Sequence, residues 1–238
     1  MRNRSLAALM PALVLMSAPA AAAPVVLDDI RWQVATGRDG PRLNITRDST
    51  NSNGFDFDER IADGLALRQV LDPSRTGAVT FSLQREPGTI SCSGTLRTGR
   101  GSGRCRFVSA PAFEAALARR AIPLPRRETL FELALVDARI ARADGLGRAG
   151  FPMRNTADLI GASALDVSES YAEGLKTAGL SIRSFNDLIA CRALKIDPAW
   201  VRSFAQAGYR LDARRAIALK ATGVTPDYAR TINAGAAR

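Results

Sequence analysis

The chain has no histidine. That removes the commonest general base near neutral pH, the commonest metal ligand, and the Ser–His and Cys–His pairs of ordinary hydrolases. Cysteine is scarce, at three residues with no CxxC pair, so a dithiol redox motif is excluded. Lysine is almost absent: three Lys stand against 30 Arg. Aromatic residues make up only 6% of the chain. Beyond the first residues no apolar run is long enough to cross a bilayer.

What the sequence does have begins with a leader. Arg2 and Arg4 precede an apolar run from Leu6 to Met16 and four alanines, Ala20–Ala23. The run is too short to span a membrane, and small residues mark a cleavage site. Residues 1–23 are therefore expected to be a signal peptide, cut near Ala22 because Pro24 disfavours the bond before it. No cysteine follows to carry a lipid. The expected destination is the periplasm or the medium, with no transmembrane segment after cleavage.

The second half carries a repeat. Phe113, Arg142, Tyr171, Trp200 and Tyr228 recur in steps of 29, 29, 29 and 28. Four residues after each come Leu117, Leu146, Leu175, Phe204 and Ile232. Four residues further on are Ala121, Gly150, Gly179 and Gly208, and nine beyond those lie Leu130, Leu159, Leu188 and Ile217. A fixed period with several matched positions signals stacked supersecondary units. Asp197-Pro198 and Thr225-Pro226 read as an N-cap followed by proline in the first helical turn, and Ser168-Glu169 puts a carboxylate at the positive helix end. Gly179 and Gly208 supply a left-handed residue to end that helix. A second helix is expected to start through Thr156, Ser184 or Asp212. The aromatic positions Phe113, Tyr171, Trp200 and Tyr228 are read as core anchors between copies. Two short helices cannot bury their apolar faces alone, so copies must stack.

The pattern Gly223-Val-Thr-Pro-Asp-Tyr228, spaced from Ala207-Gly-Tyr209, resembles helical-hairpin repeats of some bacterial envelope proteins. Such repeats occur in C-terminal regions of certain BlaR-type sensor peptidases and in exported proteins. The resemblance covers roughly Pro111–Arg238. It departs from the pattern at Arg142, where an aromatic is usual, and the zinc motif of the peptidases is missing. It implies a fold and a compartment, not a catalytic activity.

The first half reads as strands. Ile30–Ala35, Arg42–Arg47, Ala78–Arg85, Thr89–Leu96 and Arg104–Val108 alternate apolar and polar residues, as half-buried antiparallel strands do. Thr98–Gly103 reads as a wide glycine-rich loop with Arg100 exposed, and Ile61–Leu71 as a short helix or strand. Asp48–Glu59 reads as an acidic turn. It is not a calcium loop, because in the register of Gly54 the outer positions fall on Ser49 and Arg60. Cys92 and Cys105 are equidistant from the Thr98–Gly99 bond and share the inward face, so an exported protein is expected to join them as a disulfide. Cys191 reads as a small buried hydrophobe.

These elements add up to an α+β chain: signal peptide at 1–23, a small antiparallel β domain at 24–108, and a helical-hairpin array of about four and a half copies at 109–238. The function expected of it is non-enzymatic binding, as an envelope scaffold or sensor accessory whose partner is another envelope protein or a peptide. Arg183, Arg202, Arg210, Arg214 and Arg215 are the candidate contact residues. No cofactor or metal is assigned, and export argues against nucleic acid. The alternatives are an electrostatic binder of anionic lipid or cell-wall polymer, and a hydrolase using Asp56, Asp58 and Glu59. The array carries 19 basic and 13 acidic residues, a net +6, and the β half 12 and 10, a net +2. These charges are interspersed along the chain, which reads as a solvated surface rather than a patch.

Overall fold

Alternating apolar residues and two-residue turns build a six-stranded antiparallel sheet, ordered β3-β2-β1-β6-β5-β4. Its strands are β1 (Val26–Gly37), β2 (Gly40–Arg47), β3 (Asn51–Asp56), β4 (Gly77–Arg85), β5 (Gly88–Arg97) and β6 (Arg100–Ser109), with helix α1 (Gly64–Val70) between β3 and β4. The computed structural model describes residues 23–37, 40–47, 51–56, 64–72 and 74–236. The expected signal peptide, apart from Ala23, lies outside the described residues, as do Asp58 and Glu59.

The sheet differs from the sequence reading at two places. Asn51–Asp56 is not a turn but a strand, in register with Arg42–Arg47 of β2. Its polar residues hide the alternation, because an edge strand is held largely by its backbone ladder. Arg100–Gly103 is also strand, and the loop shrinks to Thr98-Gly99, with Gly99 at φ 74°. The glycines there serve packing rather than turning. A Cβ on Gly103 would stand 2.5 Å from Trp32 Nε1, and one on Gly94, its partner across β5 and β6, 2.6 Å from Trp32 Cζ2. Both leave room for the indole, which is fully buried and donates to the Ser93 carbonyl at 3.0 Å.

The sheet curls. Trp32 and Phe81 stand on strands three spacings apart, about 14 Å in a flat sheet. Their ring centroids lie 5.3 Å apart, edge to face. Into the concave side go Ile30, Leu43, Ile45, Leu83, Ile90 and Phe107, closed by Leu67 and Leu71 from and just after α1. Cys92 and Cys105 sit directly opposite on this side and form the expected disulfide.

The helices then alternate between two layers. One holds α2 (Pro111–Ala118), α4 (Ile140–Arg148), α6 (Glu169–Thr177), α8 (Pro198–Gln206) and α10 (Pro226–Ala236). The other holds α3 (Arg127–Leu135), α5 (Thr156–Ala164), α7 (Phe185–Ala193) and α9 (Ala213–Ala221). Within each layer every helix packs on its neighbours, and the first residues recur at intervals of 29 or 28. Caps impose this regularity. Asn155, Ser168, Ser184, Asp197 and Asp212 each accept a backbone N–H three residues on. In the second pair the cap is Asn155 rather than Thr156, since an Asn carbonyl accepts that bond and leaves Thr156 as the first helical residue.

Helix ends are as regular as their starts. Two residues past each helix end, or three past α2, a residue is left-handed: Ala121, Gly150, Gly179 and Gly208 in one layer, Asp137, Asp166, Lys195 and Gly223 in the other. The next N–H then reaches back five residues, as Leu180 does to Leu175 at 3.0 Å and Ile196 to Cys191 at 2.9 Å. Lys195 holds φ 55° with a side chain that gains nothing from it. Lys195→Gly is therefore expected to stabilise the chain by roughly 0.5–1 kcal/mol. A lower denaturant midpoint for that variant would contradict the strain argument.

The array sits on the sheet. Phe131 of α3 meets Phe107 edge to face at 5.7 Å. The Glu86 carboxylate accepts the Ile140 N–H at 2.8 Å, capping α4 from the β4–β5 turn. Arg85 reaches Asp137 at 3.6 Å.

Candidate functional site

The aromatic positions of the array divide by depth. Phe113 is buried, and Tyr171 and Trp200 are half-buried under cations from the other layer. Arg192 lies over the Tyr171 ring at 5.0 Å and Lys220 over Trp200 at 5.3 Å. Tyr228 is not a core anchor: it is 59% exposed. Among the described residues no helix follows α10 to cover it, and Ala229 takes the inward place instead. The residue after each anchor, Ala143, Ala172, Val201 or Ala229, is buried in every copy from the second on. Phe204→Ala, at a fully buried position, is expected to cost about 3–5 kcal/mol. Tyr228→Ala should stay within about 0.5 kcal/mol. Chemical denaturation of the two variants side by side tests the assignment.

Arg142 turns out to do a tyrosine's work. Its Nη1 donates to the Val167 carbonyl at 2.7 Å, and the Tyr171 hydroxyl donates to the Ile196 carbonyl at 2.7 Å. Each bond spans 25 residues and ties one copy to the loop that leads into the next. Reading the position as aromatic or not concealed this shared role, which needs reach and a donor.

Cys191 is fully buried, and burial pushes its thiol up to about 11, with the Asp187 charge adding to the effect. At neutral pH it is a packed thiol, not a nucleophile.

Two groups of arginines stand out in the array. Arg120 grips Asp144 through two bonds of 2.5 and 2.6 Å, and Arg148 grips Glu169 at 3.0 and 2.6 Å. These bonds hold both carboxyls below their ordinary range. Arg142 and Arg192 converge on Asp166. All four tie neighbouring copies together.

The second population lies along one edge. Because the helices of each layer run side by side, the connections from first-layer to second-layer helices share one edge of the array. The third and fourth touch directly, where Ala213 N donates to the Ser181 carbonyl at 2.9 Å. This edge carries Arg126 and Arg127, then Arg154, then Arg183, then Arg210, Arg214 and Arg215, all exposed. None takes part in an ion pair among the described residues. Arg183 and Arg214 flank a cleft of about 270 Å³, with Ser181, Ser184, Asp187 and Asp212 in its wall.

Of the sequence candidates, Arg183, Arg210, Arg214 and Arg215 thus come together on one edge. Arg202 stands apart, midway along α8. Arg126, Arg127 and Arg154 join the group without having been anticipated. The only sequence signal is that Arg154 and Arg183 are one period, 29 residues, apart.

Comparison with known proteins finds no matching family model, no matching curated protein and no matching solved structure.

Charge along the array is also uneven. Residues 109–177 carry nine basic and nine acidic side chains, whereas residues 178–238 carry ten and four. The whole +6 excess therefore lies in the later copies. Asp56 of the acidic stretch lies opposite Arg42 in the β2–β3 ladder. Among the described residues no three His, Cys, Asp or Glu side chains stand close enough to hold a metal ion. Among the same residues no helix is long and apolar enough to cross a membrane.

Proposed function

We propose that this chain is an exported, non-enzymatic binding protein of the bacterial envelope, with the helical array as its binding surface. The observation that carries the reading is the edge of exposed arginines without acidic partners. Arginines that serve the fold elsewhere in the array are matched to carboxylates or carbonyls across copies. Those on the edge contribute nothing comparable to stability, and two of them work against it. Arg214 and Arg215 occupy the second and third positions of α9, at the positive end of the helix, where a cation is disfavoured. A local cost without a structural return marks a surface kept for a ligand. The disulfide fits an oxidising, extracytoplasmic compartment. The likeness of the period to repeats of envelope sensor proteins supports the same location.

The test is capture from envelope extract with the oxidised mature protein and with an Arg183→Gln/Arg214→Gln/Arg215→Gln variant in parallel. A component held by the first and released by the second supports the assignment. Equal retention by both places the binding surface elsewhere.

A second reading, binding to an anionic surface, is favoured by the concentration of charge in the later copies.

A further inference from the structure

We infer that the arginine edge docks on a bilayer of anionic phospholipid. This rests on the reading of the array as a binding surface and names its partner. Three observations converge on lipid rather than on a soluble polyanion or an acidic peptide.

The first is the line itself. Successive copies bring their loops to one edge at roughly the helix-packing distance of 8–10 Å, so four loops present guanidinium groups over roughly 30 Å. An extended row on an edge meets a planar array of phosphates along its whole length. A guanidinium forks onto phosphate oxygens through two N–H donors.

The second is Leu124. Only two large apolar side chains are strongly exposed among the described residues, Leu124 at 63% and Tyr228 at 59%. Tyr228 starts α10, at the opposite edge of the array. Leu124 stands in the first loop of the arginine edge, between Pro123 and Pro125 and two residues before Arg126-Arg127. An apolar tip flanked by cations suits the boundary between headgroups and acyl chains and has no use against a soluble polyanion.

The third is the disposition of the acids on this edge. The carboxylate of Asp158 accepts the Arg154 N–H at 3.0 Å, and that of Asp212 accepts the Arg215 N–H at 2.8 Å. Glu128 lies 3.7 Å from Arg47 of the sheet. Each of these carboxylates is engaged by a backbone N–H or by Arg47, with Glu128 and Asp212 themselves exposed, whereas the guanidinium groups of the edge make no ion pair among the described residues. Asp187, half-buried in the wall of the cleft, is the other acid of the edge.

Flotation of the oxidised mature protein with vesicles of mixed phosphatidylcholine and phosphatidylglycerol, against vesicles of phosphatidylcholine alone, tests the inference. Binding is expected to the mixed vesicles only, and to weaken as salt rises. Each arginine near an anionic leaflet contributes about fivefold in affinity, so Arg183→Gln/Arg214→Gln/Arg215→Gln should lose roughly a hundredfold. Leu124→Ser should weaken vesicle binding at fixed salt while leaving binding to soluble polyphosphate unchanged. None of these variants should melt below the parent protein, because the substituted side chains make no stabilising fold contacts and replacing Arg214 and Arg215 removes two cations from the positive end of α9. Equal flotation of the triple variant overturns the inference. So does polyphosphate binding as tight as vesicle binding and indifferent to Leu124, although the edge then remains an anion site. Failure to bind vesicles while the envelope capture still depends on these arginines overturns the lipid assignment alone. Failure of both removes the edge as a binding surface.

Discussion

Trp32→Ala is expected to cost about 3–5 kcal/mol, the range for removing a fully buried tryptophan. The indole fills the concave side of a curled sheet, lies on the paired glycines Gly94 and Gly103, and meets Phe81 edge to face. It also satisfies the Ser93 carbonyl. Its floor is bare backbone at Gly94 and Gly103, so no side chain on that side can collapse into the space. The reverse experiment is as informative. Gly103→Ala brings a methyl to 2.5 Å from Nε1 and 2.0 Å from the Ser93 carbonyl, and should cost about 1–3 kcal/mol through overpacking. Part of that cost comes from the indole, so Gly103→Ala should cost less in a Trp32→Ala background than alone. Additive costs in the four-way comparison would show that glycine is required there for the backbone and not for the tryptophan.

Loss of the Cys92–Cys105 bridge is expected to lower stability by about 3 kcal/mol, on the entropy of closing a loop of this size. The cysteines are 13 residues apart and directly opposite on β5 and β6. The two tryptophans report on where the loss falls. Trp32 lies in the sheet, and Trp200 lies half-buried in α8. Denaturant titration followed by fluorescence in Trp200→Phe and Trp32→Phe backgrounds, with and without reductant, separates the halves. The midpoint read by Trp32 should fall on reduction, in step with a Cys92→Ser/Cys105→Ser variant. A midpoint indifferent to reductant would mean that ladder and core already hold the two strands as firmly in the unbridged protein.

Much of the fold was legible because its signals are local. Helix starts and ends are written in single residues: Ser168, Asp197 and Asp212 at caps, Gly150, Gly179 and Gly208 at the left-handed positions. The strands with an apolar face were equally plain. The missed elements lack such a face or carry the wrong marker. Asn51–Asp56 is polar throughout apart from Phe55, so only its partner β2 identifies it as a strand. Gly101 and Gly103 suggested a loop because glycine usually marks one, yet here they make room for side chains across the sheet. Tyr228 has the spacing of a core position, yet among the described residues no helix follows α10 to cover it.

The binding edge was illegible for a different reason. In sequence the arginines are scattered and interleaved with acids, which reads as an ordinary solvated surface. The fold sorts them. One group turns inward along the array to join copies, and the other collects on a single edge from four loops a full period apart. The pairing of Arg120, Arg142, Arg148 and Arg192 across copies sets them apart from the edge arginines, which take part in no ion pair among the described residues.

The seating of α3 and α4 on the sheet has a consequence for how such a chain can change over time. Phe107 gives α3, and Glu86 gives the start of α4, contacts that a preceding copy would otherwise supply. One end of the array is thereby fixed, and growth is open between the copies and at the far end. Duplicating the 29-residue unit between Asp137 and Asp166 would leave the contacts at both ends intact. Each added unit would carry the far end about 8–10 Å further from the sheet. Copy number thus acts as a ruler, setting how far this protein reaches without altering how either end is built.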